Sequence, residues 1–235
     1  MSTGITTAAV FGASGGIGRA LAEGLAGSGR FGAVYAGARR GVTGAGLSPF
    51  AFDLGDEASI AAAVGAMPPP DITIVASGLL QDLERGIRPE KTLRSMDPAA
   101  MAQVFAANTI GPAIIAKHLL PRMSRDRRAV FAVLSARVGS IGDNRLGGWH
   151  SYRASKAALN MLIANFAIEM ARTHPHAIIV ALHPGTVETA LSAPFRKGGV
   201  FSPAECAGHL LRVIDGLGPA DSGGFFAWDG ARLPW

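Results

Sequence analysis

The chain has one cysteine in 235 residues, Cys206. It therefore cannot form an internal disulfide, and no group of cysteines and histidines stands at metal-ligand spacing, so neither a disulfide scaffold nor a metal centre is expected. Cys206 reads as a structural thiol. Long apolar runs are also missing: no uninterrupted stretch reaches bilayer length, and Met1 to Val10 lacks a basic region followed by an apolar core. The expectation is a cytoplasmic protein without a membrane partner. Charged residues make up only 17% and aromatic residues 7%. The net charge of +5 comes from arginines at Arg39-Arg40, Arg85 to Arg94 and Arg122 to Arg128, which are separated in sequence and have no interleaved aromatics. Nucleic acid is not expected as a partner, and these clusters read as solvated surface, Arg39-Arg40 excepted.

What the chain does have is apolar residues, 49% of the total, in short runs separated by helical patterns. Ala8 to Phe11, Phe31 to Ala38, Phe50 to Phe52, Asp71 to Ala76, Ala129 to Leu134, His176 to Leu182 and Gly224 to Trp228 read as strands. Helices are expected from Ile17 to about Ser28, after Asp56, from Asp97-Pro98 to about Leu120, from Tyr152 to Ala171, and after Ser202, where Glu205 completes capping-box spacing. Gln81 to Ser95 reads as polar loop and Ser135 to Gly148 as glycine-rich loop. Connections this long cannot be hairpins, so the pattern predicts an α/β fold, a single-domain Rossmann-type doubly wound parallel sheet flanked by helices, spanning residues 1–235.

The most informative stretch is Val10-Phe11-Gly12-Ala13-Ser14-Gly15-Gly16-Ile17-Gly18. A strand, a glycine turn and a helix start in this order make a phosphate cradle. Gly12 permits the turn, Gly16 lets backbone approach a pyrophosphate, and Gly18 lets the helix lie close to the sheet, with free N–H groups at the helix start. In such sheets ligands sit at the carboxyl ends of the strands, where Gly12, Asp53-Leu54, Ser77-Gly78, Ser135 and Pro184-Gly185 all fall. An acid is absent at the end of the second strand, Tyr35-Ala36-Gly37-Ala38-Arg39-Arg40. A site for NAD usually places a carboxylate there for the ribose 2′-hydroxyl. Arg39 and Arg40, with Ser14, suit a 2′-phosphate, so the expected cofactor is NADP(H).

In Tyr152-Arg153-Ala154-Ser155-Lys156 the tyrosine and lysine stand one helical turn apart on one face. Together with the glycine turn, this spacing resembles the short-chain dehydrogenase/reductase family. His183-Pro184-Gly185-Thr186-Val187-Glu188-Thr189 and the tail Trp228-Asp229-Gly230 to Pro234-Trp235 resemble its C-factor-like branch of carbonyl reductases. The resemblance implies an oxidoreductase acting on a small aldehyde, ketone or alcohol, as a homodimer or homotetramer. It implies Tyr152 as the general acid/base, its phenol lowered by Lys156, with Asn108 and a serine completing the catalytic set. It also implies cofactor contacts from Gly12, Ser14, Gly15, Gly16, Ile17, Gly18, Asp53, Leu54, Ser77, Gly78, Tyr152, Lys156, Pro184, Gly185, Val187 and Thr189. Read without the resemblance, Asn108 is a helix-interior amide bonded to a neighbouring strand.

The chain departs from the family at three places. Phe11 stands where the family has threonine, Val75-Ala76-Ser77-Gly78 where it has Asn-Asn-Ala-Gly, and Ala136 in the second slot of an expected Ser-Ser pair. Ser135 is the first candidate for the active-site serine and Ser140 the second. Substrate walls are expected from Gly142 to His150 and from a loop near 190–201, in which Gly198-Gly199 suggests either a lid or a plain surface loop. The departures keep a second reading open, that of a non-catalytic dinucleotide-binding sensor.

Overall fold

A computed structural model describes residues 6–193 and 200–235 of the chain. Seven strands, β1 Thr7–Phe11, β2 Ala33–Ala38, β3 Leu47–Ala51, β4 Ile72–Val75, β5 Ala129–Leu134, β6 Ala177–His183 and β7 Phe225–Ala227, form one sheet in the order β3-β2-β1-β4-β5-β6-β7. Every neighbouring pair is parallel, as in Ala8↔Val34, Ala8↔Ile72 and Val130↔Ile178. The helices are α1 Gly16–Gly27, α2 Glu57–Gly65, α3 Pro98–Phe105, α4 Gly111–Leu119, α5 His150–Met170 and α6 Pro203–Gly216.

Strand residues alternate between two cores. Ala9, Phe11, Phe131, Val133, Ile179 and Ala181 face Ile60 of α2, Ile115 of α4 and Leu159 and Ile163 of α5. Ala8, Val10, Val130, Ala132, Ile178 and Val180 face Leu21 and Leu25 of α1 and Leu210 and Ile214 of α6. Both faces are covered, which is why the central strands are buried throughout and, but for Thr7 and Thr73, apolar. Truncating a fully buried side chain such as Ile115 costs about 2–5 kcal/mol.

Capping follows local sequence. Asp97 accepts from Ala100 N at 2.7 Å, Asp56 from Ala58 N at 2.9 Å, and Ser202 and Glu205 cap α6 reciprocally. The third strand lies earlier than its apolar run suggests, at Leu47–Ala51, because an edge strand tolerates Pro49. The helix expected from Asp97 to Leu120 is interrupted by a π-turn at Ala106–Ile110. Pro112, four residues after Asn108, has no N–H for the Asn108 carbonyl and pushes that turn wide. Taken together, the stretch Pro98–Arg122 is by length and mean composition apolar enough to cross a membrane, although Gln103, Asn108, Thr109, Lys117 and His118 interrupt it, and 39% of its apolar window is buried. Its apolar residues include many alanines, and Ile115, Ala116 and Leu119 pack into the core.

The arginines at 122–128 are not simply solvated. Arg122 donates to Met67 O at 2.8 Å and also to Val64 O, and Arg128 donates to Ile214 O at 2.5 Å, so both satisfy carbonyls at helix ends. Arg127 pairs with Asp71 at 2.7 Å. Cys206 is buried, and its thiol donates to Pro184 O at 3.4 Å.

Candidate active site

The strand order reverses at β1, whose neighbours β2 and β4 lead in opposite directions, so a crevice opens beyond the carboxyl ends of β1 and β4. A groove of about 510 Å³ lies there, with Gly12, Ser14, Gly15, Arg39, Asp53, Leu54, Ser77 and Gly78 among its lining. Arg40 is not in that lining. Leu79, Asp82, Arg85, Gln103, Ala106 and Ala107 form the opposite wall, and Asp82 and Arg85 belong to a segment that its polar composition alone marked only as loop.

Missing side chains shape the groove. Gly12 has φ +90°, a conformation that L side chains rarely adopt, and a Cβ there would stand 2.8 Å from Ser77 N. A Cβ on Gly18 would stand 2.3 Å from Gly12 O, so the helix start lies directly on the turn. Near Gly16, a Cβ would meet Thr189 Cγ2 at 3.2 Å, which brings the segment after β6 against the glycine turn. Ile17 packs on the core shared by α1 and α6. Gly185 has φ +77° beside Phe201 and Trp228, and Val187, 3% exposed, bridges to Phe201. The groove thus has backbone N–H groups at a helix start, a guanidinium and, at Ser77 Oγ, a buried hydroxyl with no hydrogen-bond partner among the described residues. A phosphorylated dinucleotide fits this set of groups.

Phe11, in place of the family's threonine, packs edge-on against Phe50 at 5.0 Å and Phe52 at 5.1 Å between ring centroids. The aromatic cluster supports the stretch leading to Asp53, whose Oδ1 accepts from Gly55 N at 2.9 Å.

The second half of the site is built on α5. Lys156, 3% exposed, donates from Nζ to Leu134 O at 2.8 Å and stands 6.0 Å from the Tyr152 ring centroid. A Cβ on Gly78 would lie 3.8 Å from Lys156 Nζ and 3.6 Å from Asn108 Oδ1, so β4's exit, the π-turn and α5 converge. Asn108 is fully buried; its Oδ1 accepts from Leu79 N at 2.7 Å, and its Nδ2 donates to Leu79 O at 2.8 Å and to Ser155 Oγ at 3.0 Å. Thr109 Oγ1 donates to Ser155 O at 2.8 Å. Asn108 bonds the strand's exit loop, close to the reading made without the resemblance.

Burial governs the two titrating groups. It pushes the Tyr152 phenol up to about 12 and the Lys156 ammonium down to about 7, because each charged form is poorly solvated there. Burial thus moves the Tyr152 phenol opposite to the lowering expected from Lys156, and Lys156 gives its hydrogen bond to Leu134 O.

Both serine candidates are engaged elsewhere. Ser135, 3% exposed, donates to Asn160 Oδ1 at 2.6 Å, which ties the end of β5 to the middle of α5. Ser140 donates to Trp235 O at 3.3 Å and accepts from Asp143 N at 3.1 Å. Neither bonds Tyr152 among the described residues. Gly139, where family spacing puts the serine, lies against the helix, since a Cβ there would be 2.6 Å from Lys156 Cβ. Trp149 packs edge-on to Tyr152 at 6.3 Å. Of the loop near 190–201, residues 194–199, with Gly198-Gly199, lie outside the described residues.

The chain is similar to several known proteins. A family profile described as short chain dehydrogenase matches residues 6–199. C-signal of Myxococcus xanthus is 37% identical over 144 residues, 61% of this chain and 83% of that protein. A 1-hydroxy-2-glutathionyl-2-methyl-3-butene dehydrogenase of Rhodococcus sp. is 34% identical over 142 residues, 60% of this chain, and the match spans only 61% of that protein's length. The NADPH-bound carbonyl reductase from chicken fatty liver superposes with a TM-score of 0.84 at 25% identity, covering 98% of this chain and 94% of that one.

Proposed function

Since the chain belongs to the short-chain dehydrogenase family of oxidoreductases, we propose that it is an NADP(H)-dependent carbonyl reductase or alcohol dehydrogenase with Tyr152 as its proton donor and acceptor. The observation that carries this reading is that Lys156 Nζ and Asn108 Oδ1 lie beside Gly78, in the lining of a groove that also presents Arg39, with the Tyr152 ring centroid 6.0 Å from Lys156 Nζ. When bound, the dinucleotide supplies or accepts hydride.

The protein's part is to bind, orient and move a proton. Gly12, Ser14, Gly15, Gly16 and Gly18 present backbone to the phosphates, Arg39 meets the 2′-phosphate, and Asp53 and Leu54 flank the adenine. Pro184, Gly185, Val187 and Thr189 hold the nicotinamide end. A phenol held near 12 stays protonated at neutral pH, so Tyr152 is charged with the proton that a developing alkoxide needs. Lys156, held near 7, takes up and passes on a proton at working pH, and the Leu134 carbonyl keeps its Nζ in place. A small aldehyde, ketone or alcohol is the substrate class. A homodimer or homotetramer is part of the same reading, in which a second copy covers exposed Ile110, Met161 and Ile168 on the π-turn and α5.

NADPH consumption followed at the cofactor's own absorbance, against a panel of aldehydes and ketones, tests this. Turnover of at least one carbonyl, with NADPH preferred over NADH, is expected. A second reading, a dinucleotide-binding sensor, is favoured by Ala136 and by the engagement of Ser135 and Ser140; NADPH binding without turnover of any carbonyl would support it.

A further inference from the structure

The segment between β4 and α3 contains a buried acid that no motif marks. Glu90 is 6% exposed, and among the described residues no salt bridge reaches it. Its carboxylate accepts from Ser151 N at 3.3 and 3.2 Å and from Ser151 Oγ, and its main-chain oxygen accepts from Trp149 N at 2.5 Å. A buried carboxylate is costly unless something compensates it. Here the first turn of α5 does so, with free N–H groups and the positive end of the helix dipole.

That turn needs an outside partner. Trp149 at the N-cap makes no side-chain cap and has φ +50°, after Gly147 at +60° and Gly148 at +66°. Three successive left-handed residues bring the chain into α5, and for a tryptophan this conformation costs about 1–2 kcal/mol. The Glu90 clamp holds Ser151, the residue directly before Tyr152. At its other end the same segment is pinned at Leu79 by Asn108 and lines the groove with Leu79, Asp82 and Arg85.

We propose that Glu90 is a positioning residue, capping α5 from a distant segment through Ser151 and so fixing where the Tyr152 phenol stands relative to the groove. The proposal rests on the reading of Tyr152 as proton donor. Displacement of a reacting group by about 1 Å can cost on the order of 100-fold in rate.

The test compares Glu90→Ala, Glu90→Gln and Ser151→Ala with wild type in four measurements: kcat and KM for a carbonyl, NADPH affinity, thermal unfolding, and amide hydrogen exchange at residues 151–153. Glu90→Ala should lower kcat roughly 10- to 100-fold with NADPH affinity unchanged, and should speed exchange in the first turn of α5 only. Glu90→Gln keeps an acceptor for Ser151 and should stay within about threefold of wild type. Wild-type kcat in folded Glu90→Ala, or matching losses in kcat and NADPH affinity, would overturn the proposal. Should Glu90→Ala fail to fold, Ser151→Ala decides: a lower kcat at normal NADPH affinity supports the clamp, and an unchanged kcat refutes it. Exchange at 151–153 as slow in Glu90→Ala as in wild type would refute it whatever the activity. If instead the wild type turns over no carbonyl, or Tyr152→Phe is fully active, the reading of Tyr152 fails, and the exchange data alone then report whether Glu90 holds α5.

Discussion

The turn between β1 and α1 and the start of α5 are both helix entrances, yet they are built by opposite means. At the first, the essential feature is absence: Gly12, Gly16 and Gly18 leave room that any Cβ would fill, and the backbone itself is left to meet a ligand. At the second, the backbone N–H of Ser151 is occupied by a buried carboxylate from Glu90, and the preceding tryptophan is forced into a left-handed conformation. An entrance built of backbone leaves its positive end open to a foreign anion, whereas one closed by the protein's own anion presents side chains to a reaction. Under the proposed function the two entrances divide binding from chemistry.

The division is broken most severely by Tyr152→Phe, which removes only the transferable proton. Its turnover should fall about 10²- to 10⁴-fold, as for loss of one general acid, while NADPH affinity measured by fluorescence stays near wild type. A parallel loss of affinity would show that the α5 entrance also binds. On the binding side, Arg39→Ala should weaken NADPH roughly 10- to 150-fold, corresponding to one charge-assisted hydrogen bond of about 1.5–3 kcal/mol, and leave NADH affinity unchanged. Arg40→Ala should weaken NADPH less than Arg39→Ala, since Arg39 and not Arg40 is among the residues lining the groove.

Ser135→Ala sharpens the comparison further. Because the hydroxyl bonds Asn160, its loss should appear as a lower unfolding midpoint, about 0.5–1.5 kcal/mol, with kcat within a few-fold of wild type. A drop in kcat beyond 100-fold at normal stability would return Ser135 to the catalytic set.

A further effect is expected on stability against pH. Lys156 titrates near 7 in the native protein but near its ordinary 10.5 when unfolded. Between those values the unfolded chain binds more protons, so stability rises with pH through that window, and the penalty is fully present below 7. Tyr152 acts oppositely: native at about 12 and unfolded near 10, it costs stability from about pH 10 upward. The unfolding midpoint should therefore climb from pH 7 to about 10 and then fall, and Lys156→Met should remove the climb. An unchanged climb in Lys156→Met would show that other groups cause it.

These contrasts also explain what could be read from the residues alone. The continuously buried apolar runs of β1, β5 and β6, the caps at Asp56, Asp97 and Ser202, and the glycine spacing are local signals, and each stands where local chemistry requires. The π-turn at 106–110 was not read, because a continuous apolar pattern hid it, although Pro112 follows Asn108 by four residues. What escaped were partnerships between residues distant in the chain. Nothing near Glu90 announces Ser151, nothing in Ser135 announces Asn160, and the opposition of burial to Lys156's charge at Tyr152 depends on what surrounds both groups.

The all-parallel sheet has a consequence for how the chain reaches this state. None of its strand pairs can close through a tight turn, and the central pair joins Ala8 to Ile72, so the first strand has only half of its partners until β4 returns across the two strands between them. Folding dominated by such distant pairings runs slowly, on the order of milliseconds to seconds. During that wait the largely apolar strand Thr7–Phe11 has an uncovered edge, and on a ribosome the delay lasts until the β4 segment has emerged. Aggregation during synthesis, more than unfolding of the finished protein, is the hazard that this topology sets for the chain.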